Sequence, residues 1–147
     1  MKTTLFFLIC ISLFGFAYQG PLTKVIIGKW SYEAGTYQYY DSSNKFLGDS
    51  DVEELKNLNI EVTRDTFKIL YPNNKTSAGK YSILKERGKY FVSTSLSGNP
   101  FRYQIQSYTK TRINLVTRKP INFYVNGDVN QKASYCILKI SLVRKVS

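Results

Sequence analysis

The chain has 147 residues, 43% of them hydrophobic and 21% charged, with no histidine and two cysteines. That hydrophobic content supplies a core and excludes a disordered chain; the missing histidine removes Ser-His and Cys-His nucleophiles and His-ligated zinc or non-haem iron. The net charge of +11 is lopsided: residues 18–65 carry five basic residues against eight acids, and residues 66–147 carry fifteen against two.

Met1-Lys2 gives a positive start, Leu5 to Phe16 is a nearly unbroken apolar run, and Gly15 and Ala17 are small residues at the positions a signal peptidase reads. The run falls short of the roughly 20 apolar residues that a spanning helix requires. Residues 1–17 therefore read as a signal peptide cleaved after Ala17, with no transmembrane segment left after cleavage and a secreted or periplasmic destination. Residues 18–147 then form one domain. Cys10 leaves with the leader, so Cys136 stays alone and no intrachain disulfide can form. Within "SYCILKISLV" it reads as a small buried hydrophobe rather than a reactive thiol.

After the leader the dominant period is two. In "IIGKWSYE" (26–33) Ile26, Gly28, Trp30 and Tyr32 share one parity, and Lys29, Ser31 and Glu33 the other. The stretch "GTYQYYDSSNK" (35–45) has two readings: a strand packed on the core, or a loop offering Tyr37, Tyr39 and Tyr40 as exposed rings. The segment "DSDVEELKNL" (49–58) reads as a short helix, with Ser50 and Glu53 as a capping box and Val52 with Leu55 as an apolar stripe. Strands follow in "TFKILY", "GKYSIL", "GKYFVSTS", "FRYQIQSY", "RINLVT" and the terminal stretch through Cys136, Leu138, Ile140, Leu142 and Arg144. "ERGK" (86–89), "SGNP" (97–100) and "NGD" (126–128) read as hairpin connections. "YTKT" (108–111) joins two further strands without a glycine.

Consecutive half-buried strands joined by tight turns make an antiparallel, up-and-down meander, which hides its edges best by closing. The expected fold is all-β: a small barrel of about eight strands, with one short helix near 49–58. The cations of the second half are spaced singly and alternate with apolar residues, as on a solvated outer strand face. An anionic surface stays open as a partner for that face, whereas nucleic acid is set aside by export. The acids Asp49, Asp51, Glu53 and Glu54 crowd one segment as a solvated face. No catalytic motif, metal-ligand cluster or cofactor motif is present, so no enzyme activity, metal or cofactor is expected.

Gly28-Lys29-Trp30 at the head of the first strand, followed by this meander, resembles the lipocalin signature Gly-x-Trp. The texture of "GKYSILKERGKYFV" and "FRYQIQSYTKTRINLV" is similar to that of the short bacterial lipocalin-like domain proteins, also a calycin-type barrel family. The resemblance covers most of residues 24–145 and rests on few sharp residues; the Thr-Asp-Tyr motif of typical lipocalins and their disulfides are missing. It implies that Trp30 lies across the closed end of the barrel as a structural plug with Gly28, and that Arg144 packs over its ring. A guanidinium over an indole contributes about 0.5 to 2 kcal/mol, depending on desolvation. A ligand contact for Trp30 is the other reading.

The resemblance further implies binding of a small hydrophobic or amphipathic ligand inside the barrel. Inward candidates from the middle strands are Phe67, Ile69, Tyr81, Ile83, Tyr90, Val92, Tyr103 and Ile105. The competing reading is that these bulky side chains fill the barrel completely. The alternative function is a non-enzymatic interaction module that binds a protein, glycan or anionic lipid surface through its basic outer face.

Overall fold

The computed structural model describes residues 21–146. The signal peptide read at residues 1–17, its cleavage point and Cys10 lie outside the described residues. The chain runs α1 (Leu22–Ile26), β1 (Gly28–Tyr40), β2 (Phe46–Asp51), β3 (Asn59–Val62), β4 (Thr66–Leu70), β5 (Thr76–Glu86), β6 (Lys89–Leu96), β7 (Asn99–Tyr108), β8 (Arg112–Tyr124) and β9 (Lys132–Arg144). All pairings are antiparallel, and β1 pairs with β9 to close the ring. This is the lipocalin-like, all-β closed barrel.

The count of eight staves comes from a split strand. β9 occupies one edge of β1 from Trp30 to Tyr40. On the other edge β3 pairs with Gly28–Ser31 and β2 with Thr36–Tyr40. β2 and β3 are thus two pieces of a single stave, interrupted by residues 52–58.

That interruption corrects the helix expected at 49–58. Asp49, Ser50 and Asp51 belong to β2, opposite Gln38, Tyr37 and Thr36. The Val52 N–H donates to Gly35 O at 3.1 Å, and two tight turns follow, Lys56 N–H to Glu53 O and Leu58 N–H to Leu55 O. Asn57, at φ 65°, ends the turn segment. The capping box does not form, because the Ser50 hydroxyl pairs with that of Tyr39 at 2.7 Å instead. A ten-residue segment nucleates helix poorly, and backbone bonds to a formed strand outcompete it. Its apolar stripe survives in another form: Val52 and Leu58 are buried and Leu55 is half-buried against the core. Among the described residues the one α-helix is α1, where Leu22 and Ile26, four residues apart on one face, are buried. Ile26 therefore precedes the first strand rather than belonging to it.

Two connections have the expected chemistry. Arg87-Gly88 (φ 48° and 77°) bridges the Glu86/Lys89 pair, and Ser97-Gly98 (φ 51° and 82°) bridges Leu96/Asn99. Two positive φ values in a two-residue loop match the right-handed twist of the flanking strands. The third connection is longer than "NGD": the last pair is Tyr124/Lys132, and Val125–Gly127 forms a single 3-10 turn.

A bulge on β1 between Tyr32 and Ala34 changes which residues face inward. Beyond it Gly35, Tyr37 and Tyr39 lie opposite Ile140, Leu138 and Cys136, all three buried. The stretch 35–40 is therefore strand, with Tyr37 and Tyr39 on the inner side. Tyr40 faces out and stacks on Tyr135 at 5.1 Å.

Candidate functional site

The two ends of the barrel are built differently. At one end Trp30, 1% exposed, lies under the C-terminus of α1 and donates its indole N–H to Ile26 O at 2.8 Å. The Arg144 guanidinium sits 4.3 Å from the Trp30 ring. It donates to Lys110 O (2.6 Å), Ile27 O (3.0 Å) and Val25 O. Carbonyls at a helix end lack partners within the helix and attract cations; here one arginine ties them to the β7–β8 turn. Gly28 makes room for it. A Cβ at Gly28 would stand 2.2 Å from Arg144 Nη1, and its φ of +145° is one that side chains resist.

The opposite end holds a cavity of about 430 Å³. Its walls are Leu55, Leu58, Ile60, Ile69, Tyr71, Pro100, Phe101, Arg102, Tyr103, Leu115, Thr117, Arg118, Lys119, Ile140 and Leu142. The volume lies within the roughly 300–1,000 Å³ of small-molecule pockets, and a mostly apolar wall with a few polar groups is their usual composition. The turn segment 52–58 covers part of this end, held by the Tyr32 hydroxyl donating to Val52 O at 2.9 Å and by Tyr37 donating to the Glu54 carboxylate. Burial and that carboxylate push the Tyr37 phenol well above its ordinary range.

Of the eight residues expected to line the interior, the structure brings two to this cavity, Ile69 and Tyr103. Phe67 is buried beneath it, 5.7 Å from the Phe101 ring and 6.3 Å from Tyr81. Val92 and Ile105 are buried in the packed core away from the cavity, and Tyr81, Ile83 and Tyr90 are half-buried at the margin of that core. The lower barrel is packed and the cavity lies above it, so two of the eight residues reach the cavity and the other six do not. Burial pushes the Tyr103 phenol up to about 12, leaving its hydroxyl neutral and able to donate.

Sequence reasoning missed Leu55, Leu58, Ile60, Tyr71, Phe101, Leu115, Thr117, Lys119, Ile140 and Leu142 as lining residues. Leu115, Ile140 and Leu142 were on recognised apolar parities, as was Phe101. Parity gives the face of a strand but not the height along the barrel, which decides between packed core and cavity wall. Leu55 was visible as part of an apolar stripe, assigned to the wrong element. Lys119 carried no signal, because a lysine next to a proline near a strand end reads as solvated.

Arg102 pairs with Glu86 at 2.7 Å and lies 4.5 Å over Phe91, Arg112 pairs with Glu33 at 2.5 Å, and Arg118 lies 3.6 Å over Tyr135. Cys136 is buried and, among the described residues, unpaired, and burial raises its thiol pKa, which keeps it protonated. Among the described residues no group of three or more His, Cys, Asp or Glu could hold a metal ion, and no helix is long and apolar enough to cross a membrane.

No family model and no curated protein matches the sequence. Among solved structures the chain is similar to the crystal structure of a lipocalin-like protein from Bacteroides uniformis ATCC 8492, at 15% sequence identity, covering 83% of this chain and 99% of that one with a TM-score of 0.43. A barrel closed at one end, with a cavity of this size at the other, has the dimensions of a small-molecule pocket.

Proposed function

We propose that the protein is an exported, non-enzymatic binding protein that holds a small apolar or amphipathic molecule in the open end of its barrel. The observation that carries this reading is the cavity of about 430 Å³ above the filled lower barrel, walled chiefly by Leu, Ile and aromatic side chains. Apolar surface buried there leaves water, which is favourable and depends weakly on salt. The competing use of a basic outer face finds less support. Arg102 and Arg112, on that face, are engaged by carboxylates of their own chain.

The test is saturation binding of the apolar fluorophore N-phenyl-1-naphthylamine to the folded domain, followed by displacement with a long-chain amphiphile. Ile69→Trp, which places a large ring in the cavity wall, is expected to abolish saturable binding while leaving a cooperative thermal transition. A probe that never saturates on the wild-type domain would overturn the ligand-binding reading and leave the interaction module.

Export makes a separate prediction. The mature chain is expected to begin at Tyr18, because Gly15 and Ala17 flank the cleavage point. Intact-mass measurement on protein recovered outside the cytoplasm reads this directly. Material that retains residues 1–17 there, or carries lipid on Cys10, would contradict it.

A further inference from the structure

Building on that ligand-binding reading, we propose that the ligand is an amphiphile with an anionic head, held by Lys119 in a lateral gap between β7 and β8, with its apolar tail inside the barrel. The gap is a feature of the register. β7 and β8 pair from Tyr108/Ile113 up to Gln104/Val116, across an irregularity between Ile105 and Ser107, and their ladder ends there. Both strands continue: β7 stays bonded to β6 down to Asn99, and β8 stays bonded to β9 up to Tyr124. A bulge bends and twists its strand, which is a physical cause for two neighbours to part above it. The cavity wall includes both lips of the parting, Pro100–Tyr103 on one side and Thr117–Lys119 on the other. The cavity therefore has a side opening as well as an upper one.

The charge at this opening is one-sided. Fifteen residues line the cavity, three of them cations and none an acid. The two arginines are already in use, Arg102 on Glu86 and Phe91, Arg118 on the Tyr135 ring. Lys119 is different. It continues the inner row of β8 after Leu115 and Thr117, which lie opposite Ile140 and Leu138, and it stands opposite buried Cys136. An inward row that ends in an exposed lysine places the alkyl stem along apolar surface and the ammonium at the water boundary. Among the described residues Lys119 has no ion-pair partner.

Neutral donors stand in the same wall. Tyr71, Tyr103 and Thr117, each with a neutral hydroxyl, are part of the lining. A cation together with neutral hydroxyls, and no carboxylate, is complementary to an anion and unfavourable to a cation. The tail finds its place against Leu58, Ile60, Ile69, Ile140 and Leu142. Among the described residues that line this opening, one uncommitted cation suits the single head group of a monomeric amphiphile.

The experiment compares four probes of one tail length, each displacing N-phenyl-1-naphthylamine from the mature domain: dodecanoate, methyl dodecanoate, dodecanol and dodecyltrimethylammonium. Dodecanoate is expected to bind about tenfold tighter than dodecanol at low salt, as one charge-assisted contact gives, and the ammonium weaker than dodecanol. Lys119→Met should abolish the carboxylate preference and leave dodecanol unchanged. Lys139→Met, on the outer face of β9, should leave the preference intact. Equal binding of carboxylate, ester and alcohol by the wild type would overturn the inference while leaving the ligand-binding reading in place. Equal weakening of dodecanoate and dodecanol by Lys119→Met would overturn it too, since the side chain would then only shape the wall. So would an equal loss of preference in Lys139→Met, which would trace it to the net charge of the domain. Failure of every probe to bind would remove the ligand-binding reading itself.

Discussion

Trp30→Ala is expected to destabilise the domain by about 3 to 5 kcal/mol, the range for emptying a fully buried large aromatic site. The ring is 1% exposed and bonded through its indole N–H to the end of α1, so its removal leaves both a cavity and an unsatisfied Ile26 carbonyl. Arg144→Ala should also be destabilising, because Val25, Ile27 and Lys110 each lose a charged donor. The two losses should not add. In a Trp30→Ala background Arg144 has no ring to cover and α1 is already loosened, so its truncation is expected to matter by clearly less than in the wild type. A double-mutant cycle in urea reads the difference. Additive losses would mean that the 4.3 Å stacking geometry carries no coupling, and the plug would then be two independent side chains.

Gly79→Ala is expected to destabilise by about 3 kcal/mol, at the upper end of the ordinary range for forcing volume into a packed site. An added Cβ would lie 2.2 Å from Ser95 O and 3.2 Å from Ser95 C and Thr94 Oγ1. The nearest atom belongs to the backbone, so no side-chain rotation relieves the clash. The two strands cannot simply separate there either. The Thr94 hydroxyl donates to Lys80 O at 2.7 Å, and Ser77 and Ser97 hydroxyls meet at 2.9 Å on the other side of the same crossing. Here β5 passes from its partnership with β4, through Lys80, to its partnership with β6, from Tyr81. Chemical denaturation should show a lower midpoint with an unchanged slope. A loss under about 1 kcal/mol would show that this crossing can relax freely.

The closed end and the open end divide the chemistry of the chain. Gly28, Trp30 and Arg144 sit at one end, with the carbonyls of α1 and the β7–β8 turn as their partners. The cavity and its lysine sit at the other. Substitutions at the plug should therefore act on stability, and substitutions at Ile69 or Lys119 on binding.

Seven of the nine strands, two of the glycine hairpins, the buried state of Cys136 and the closure of a meander into a barrel were legible from residue alternation and turn chemistry. These properties are set within a window of a few residues, by which side chains can face water and which loops can hold positive φ. The Gly28, Trp30 and Arg144 grouping was legible only through resemblance, since nothing local connects residue 28 to residue 144. The tertiary structure alone decided the rest. Residues 49–58 carried a capping pair and an apolar stripe, yet β1 offered backbone partners that a short isolated helix could not match, so the segment became a strand end and a turn. The bulge after Tyr32 reversed the parity by which Tyr37 and Tyr39 would be read. Above all, alternation assigns a side chain to the inside of a barrel without giving its height. Height depends on the register of every neighbouring pair, and register is a long-range property. Hence Phe67 and Val92 fill the floor, Ile69 and Tyr103 meet the cavity, and Lys119 stands at a gap that exists because β7 and β8 stop pairing at Gln104 and Val116.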